Sequence, residues 1–198
     1  MYRAVPGKRA RSILFTLLVL VLAPVGTARS DSAQEVDPEL RAVLLKAVSE
    51  ADSFTDRYDA EVWLTDMSRR LEKRVPDPEF RLNLLKQVHY EATRANLAPE
   101  VVLAVIDIES AFNPYAISRV GARGLMQVMP FWLKEIGQPG DSLFRVPTNL
   151  RYGCTILKYY LDKERGNLQA ALRRYNGTTK RTYSVKVDRL LRTRWYKQ

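Results

Sequence analysis

The chain has 198 residues, 46% of them apolar and 10% aromatic, and 32 Lys and Arg against 22 Asp and Glu give a formal charge of +10. That length holds one domain plus a targeting segment or a small helical extension, and the apolar share excludes disorder along the whole chain. One cysteine, Cys154, excludes an intramolecular disulfide, and no cluster of His and Cys has metal-ligand spacing, so neither a metal nor another cofactor is implied.

Residues 1–28 open with Arg3, Lys8, Arg9 and Arg11, continue through an apolar run from Ile13 to Leu22, and end in small residues at Gly26 and Ala28. This layout predicts a secretory signal peptide cleaved after Ala28, the run being short for a membrane span. A membrane contact is expected only if that signal stays uncleaved. Residues 29–75 read as a linker ending at Asp37-Pro38, followed by helical patterns from Glu39 to about Phe54 and from about Tyr58 to Lys73.

Residues 76–198 form the expected main domain. Asp77-Pro78 starts a helix carrying Phe80, Leu84, Leu85, Val88 and Ala92. Pro99-Glu100 starts the next, in which Val101 to Ile106 is apolar on every side, as in central core helices; its length predicts a helix to Phe112. A loop with Gly121 and Gly124 follows, then a short helix from Phe131 to about Gly137, and helices from Asn149 to about Glu164 and from Leu168 to Arg174. Tyr183 to Tyr196 reads as a basic amphipathic helix. Strand signals are sparse, so the fold class is mostly α.

The charge is uneven: from Arg173 to Gln198 nine basic side chains face one acid, Asp188. Such a tail suits an anionic polymer or surface, and export makes nucleic acid the poorest partner. Cys154 lies in an apolar-periodic segment and reads as a buried thiol, His89 being the only imidazole that could activate it.

Glu109 is the candidate general acid. It ends the most apolar helix of the chain, where desolvation and the negative end of the helix dipole both disfavour the carboxylate. A glutamic acid that stays protonated near neutrality is the usual proton donor in glycosidic bond cleavage. The alternative at this point is a helix-terminal Glu that reaches solvent or pairs with Arg119 or Arg123. Asp107, two residues away, points to another face and reads as a structural ion-pair or hydrogen-bond partner.

Glu109-Ser110-Ala111-Phe112-Asn113-Pro114, followed by Ala116, Ser118, Gly121-Ala122 and Gly124-Leu125-Met126-Gln127-Val128-Met129-Pro130, resembles the signature of family 1 lytic transglycosylases, the soluble (SLT) type. Asn96 to Glu100 upstream, and Asn149, Gly153 and Tyr175-Asn176-Gly177 downstream, extend the likeness over about residues 80–180. The resemblance implies a goose-type lysozyme-like helical catalytic domain that cleaves the MurNAc-β-1,4-GlcNAc bond of peptidoglycan without water, leaving a 1,6-anhydroMurNAc end. It makes Glu109 the acid and then the base, and it implies substrate contacts from Ser118, Gln127, Met129, Tyr175 and Asn176, with the Tyr175 hydroxyl near the catalytic Glu. Asn176 fits loop positioning better than catalysis. The implied partners are peptidoglycan glycan strands, with cell-envelope proteins as further candidates, and the implied location is the periplasm.

The pattern departs from the family around Tyr175, where Arg173-Arg174 precede and Gly177-Thr178-Thr179-Lys180 follow. Two other functions fit the residues: a lysozyme-type hydrolase using a second carboxylate, and a non-catalytic wall-binding or assembly protein of the same fold.

Overall fold

Asp56 caps the first described helix, α1 (Arg57–Leu71), its side chain accepting from the Tyr58 amide at 2.6 Å. The computed structural model describes residues 53, 54 and 56–196, all inside one compact unit, Val36–Gln198. The expected signal at 1–28, the linker, and the helix expected from Glu39, except Ser53 and Phe54 near its end, lie outside those residues. Helix α1 buries Ala60, Leu64, Met67 and Leu71, which recur at helical spacing along one face.

Helix α2 (Pro78–Arg94) starts as the sequence predicts, with Asp77 accepting from the Phe80 amide at 2.9 Å and proline in the first turn. Arg81 ties it to α1: its guanidinium, inside the core, donates to Ser68 Oγ at 2.9 Å and to the Val75 carbonyl at 2.6 Å. A buried guanidinium is tolerable only when its donors are satisfied in this way.

At the centre lies α3 (Pro99–Glu109), with every residue from Val101 to Asp107 buried. It ends at Glu109, three residues before the length the pattern predicts. Ala111 (φ 48°) and Phe112 (φ 67°) turn left-handed, at a cost of roughly 1–2 kcal/mol each for side chains other than glycine. Burial of Phe112 against Trp195, with ring centroids 5.5 Å apart, opposes that cost.

The loop to Pro130 folds back on itself. Arg123 pairs with both Ile117 and Val128 in isolated antiparallel bridges, and no regular strand occurs among the described residues. Then come α4 (Phe131–Ile136), α5 (Val146–Lys163), α6 (Leu168–Asn176), α7 (Thr182–Leu190) and a π-helical turn, Leu191–Trp195. Helix α5 begins three residues before the predicted Asn149, because Pro147 occupies its first turn, where a missing N–H costs nothing. Helix α3 packs against α2, α7 and the π turn, while α5 joins α2 to α6. The mostly α class is what the structure has.

Candidate active site

Where α3 ends, its last side chain leaves the core, and Glu109 is partly buried there. The Tyr183 hydroxyl, from the inner face of α7, donates to Glu109 Oε1 at 2.6 Å, and the Asn176 side chain, at the end of α6, also hydrogen-bonds the carboxyl group. Burial pushes the Glu109 pKa up to about 7, against the opposing pull of those two hydrogen bonds. The carboxyl group is therefore poised to give and take a proton near neutrality. Its partners are a phenol and an amide, rather than Arg119 or Arg123.

Asp107 sits on another face of α3 and is almost fully buried. Its oxygens bind Arg74 at 3.0 Å and Arg194 at 2.8 Å, and the Trp195 indole donates to it at 3.3 Å. These contacts consume the carboxylate nearest in sequence to Glu109. A structural role for Asp107 is what the structure shows.

The loop after α3 is held from behind by α5. Buried Asn149 accepts from the Met126 amide and donates to the carbonyls of Arg123 and Leu143, each at 2.8 Å. Gly124, at φ 75°, passes so close to the Asn149 amide and the Leu143 carbonyl that a Cβ would collide with both; a Cβ on Gly153 would meet Met126. Tyr175, packed beneath, donates its hydroxyl to the Met126 carbonyl at 2.7 Å. Burial first, and then the charge of Glu109, raise the Tyr175 pKa well above its ordinary value, so it remains a neutral donor.

The residues expected at the site thus take different positions. Asn176 meets Glu109, and Tyr175 stands close enough to feel its charge, but the phenol hydrogen-bonded to Glu109 is that of Tyr183. Ser118 Oγ accepts from the Ala122 amide at 3.0 Å, and Gln127 Nε2 donates to the carbonyls of Gly124 at 2.9 Å and Ala116 at 3.2 Å. Both shape the loop by these bonds. Met129 is partly buried at the loop's end. Sequence reasoning missed Tyr183, although Tyr183, Val187, Leu191 and Trp195 recur every four residues and mark the buried face of the last helix.

Cys154 is fully buried, its sulfur 4.0 Å from that of Met126, and burial pushes its pKa up to about 12. It is an unreactive core thiol. His89 stacks on Phe54 with ring centroids 3.5 Å apart, and its Nδ1 lies 2.8 Å from Ser53 Oγ.

Comparison with known proteins matches the family described as the transglycosylase SLT domain to residues 87–189, just over half of the chain. The chain belongs to this family. A transglycosylase of Enterobacteria phage PRD1 is 38% identical over 84 residues, covering 42% of this chain and 31% of the phage protein. The membrane-bound lytic murein transglycosylase C of Yersinia pestis (strain Pestoides F) is 39% identical over 101 residues, covering 46% of this chain and 28% of the relative. Among solved structures, the 70 kDa soluble lytic transglycosylase SLT70 from Escherichia coli aligns at 20% identity with a TM-score of 0.39, covering 77% of this chain and 28% of that one. The chain thus spans about a third of the length of the curated relatives it matches. In this SLT domain, the family match begins within α2 and leaves out α1, which carries four residues of the common core.

Proposed function

We propose that this SLT domain cleaves the MurNAc-β-1,4-GlcNAc bond of peptidoglycan without water and leaves a 1,6-anhydroMurNAc end, with Glu109 as the one catalytic carboxyl group. The observation that carries the reading is a carboxyl group with a pKa of about 7 at the end of a buried helix, held by two hydrogen bonds and with its neighbour Asp107 engaged elsewhere. Protonated Glu109 delivers its proton to the leaving glycosidic oxygen. The substrate's own acetamido oxygen attacks the anomeric carbon in place of a protein nucleophile, an established alternative to two carboxylates. Glu109, now a carboxylate, takes the proton from the C6 hydroxyl as that oxygen closes on the anomeric carbon and displaces the acetamido oxygen. Tyr183 and Asn176 stabilise the charged form between the two steps, and a pKa near neutrality makes both directions accessible.

Ser118, Gln127, Met129 and Tyr175 are assigned to the glycan-binding wall, the first two through the loop they hold and Tyr175 through Met126. Export to the periplasm, with residues 1–28 as signal, 29–75 as linker and helical segment and 76–198 as catalytic domain, is part of the same reading, as are cell-envelope protein partners.

Mass spectrometry of digested peptidoglycan tests it. Anhydro-muropeptides are expected, and reducing muropeptides alone would replace the reading with hydrolysis. Glu109→Gln is expected to abolish cleavage while glycan binding persists; cleavage unaffected by that change would remove Glu109 from the chemistry.

A further inference from the structure

Helix α7 and the π turn that continues it present two opposite faces. Tyr183, Val187, Leu191 and Trp195 are buried on one, the first of them reaching Glu109. Two residues onward is about 200° around a helix, and there Arg181, Val185 and Arg189 are exposed, continued on the π turn and beyond it by Arg192 and Tyr196. Lys180 and Lys186 lie exposed beside this stripe.

Few of these charges are compensated. Asp188, the one acid between Arg173 and Gln198, pairs with Arg192 at 3.0 Å, and Arg174 pairs with Glu164. Among the described residues no carboxylate pairs with Lys180, Arg181, Lys186 or Arg189. Four unpaired cations on one short surface repel one another and attract a dense negative partner. The apolar side chains in the stripe narrow the choice. Val185 is 51% exposed between Arg181 and Arg189, and Tyr196 is 58% exposed at the end of the row. A soluble polyanion offers nothing to an isopropyl group, whereas a bilayer interface takes up apolar side chains and places tyrosine at headgroup level.

We propose that the outer face of α7 and the π turn docks this protein onto an anionic phospholipid surface. Among the described residues no helix is long and apolar enough to cross a bilayer, so contact through this region would be peripheral. The geometry allows docking and turnover together, because the stripe lies opposite the face that supplies Tyr183 to Glu109. Each basic residue near such a surface strengthens binding by roughly fivefold, and four together by several hundredfold, with steep loss in salt.

The test is cosedimentation of the full chain with phosphatidylcholine vesicles, with and without phosphatidylglycerol, at low and high salt. Any binding through residues 1–28, by the apolar run at Ile13 to Leu22 or by Arg3, Lys8, Arg9 and Arg11, is common to all variants, so the readout is the part of the phosphatidylglycerol increment that separates the parent chain from the variants. That increment is expected to vanish in high salt, to fall by several hundredfold in K180Q/R181Q/K186Q/R189Q with circular dichroism unchanged, and to fall less in Val185→Ser. An absent increment, or one that survives the fourfold change, overturns the proposal. So does a heparin affinity that depends on the four cations while Val185→Ser leaves vesicle binding intact, which would assign the face to a soluble polyanion. None of these readouts requires the protein to cleave peptidoglycan.

Discussion

Glu109 holds two opposing influences in balance: burial favours its neutral form, and the bonds from Tyr183 and Asn176 favour its charged form. Removing the Tyr183 hydroxyl lifts one restraint, so the Glu109 pKa rises further. If Glu109 acts as proposed, Tyr183→Phe should therefore shift the alkaline limb of the kcat/KM profile to higher pH and lower the maximum by roughly tenfold, since the carboxylate of the proposed second step loses a charge-assisted bond. A profile unmoved by the change would mean that the bond does not form in solution. The same balance affects stability. The folded-state pKa is raised from 4.5 to about 7, so the neutral side chain suits the fold below pH 4.5, and the stability it confers is lost as pH rises through 7. Glu109→Gln removes this penalty, which is roughly 3 kcal/mol at most. The variant's Tm should exceed that of the parent clearly at pH 8 and hardly at pH 4; an equal gain at both values would trace the effect to packing instead.

Among the elements, the loop between α3 and α4 depends most on the helix behind it. Asn149 reaches from α5 to two backbone groups of that loop, the Met126 amide and the Arg123 carbonyl, and to the Leu143 carbonyl beyond α4, and Gly124 lies against that side chain with φ 75°. Gly124→Ala would add a strained backbone and a collision with Asn149 and the Leu143 carbonyl, a combined cost of roughly 3 kcal/mol. Urea denaturation should show that loss, with activity falling further than stability because the Met126 carbonyl that holds Tyr175 moves as well. A stability change under half a kcal/mol would mean that the loop shifts freely.

Much of this arrangement is legible in the sequence. The Pro-Glu start of α3, its all-round apolar run and the Gly-Leu-Met-Gln pattern locate Glu109 and its loop. The tyrosine that reaches Glu109 is harder to read, because its partner lies 74 residues away and the contact forms only once α7 folds back on α3. Nor does local pattern foretell the early end of α3, since Ala111 and Phe112 become left-handed only where burial of Phe112 compensates.

At the scale of the whole molecule, α1 raises a question about boundaries. The family match begins at residue 87, and the sequence separates 29–75 from 76–198 at Pro76 and Pro78, yet the side chains of α1 belong to the same core as α3. Leu64, Met67 and Leu71 are almost fully buried, worth together roughly 6 kcal/mol of apolar burial. Arg70 donates to the Arg194 carbonyl at 2.6 Å, and Arg74, just after α1, binds Asp107 at 3.0 Å. Removing residues 1–75 would expose that face and leave the almost wholly buried Asp107 with Arg194 and Trp195 alone. The loss is comparable with the whole stability of an ordinary domain, about 5–15 kcal/mol. A chain starting at Pro76 should therefore be largely unfolded or recovered only as aggregate, as judged by near-UV circular dichroism and thermal denaturation. Because Asp107 and Glu109 share the last turn of α3, any folded remnant should also lose activity. A truncated chain with the parent's cooperative melting and turnover would make α1 an appendage, with its buried leucines irrelevant to the catalytic fold.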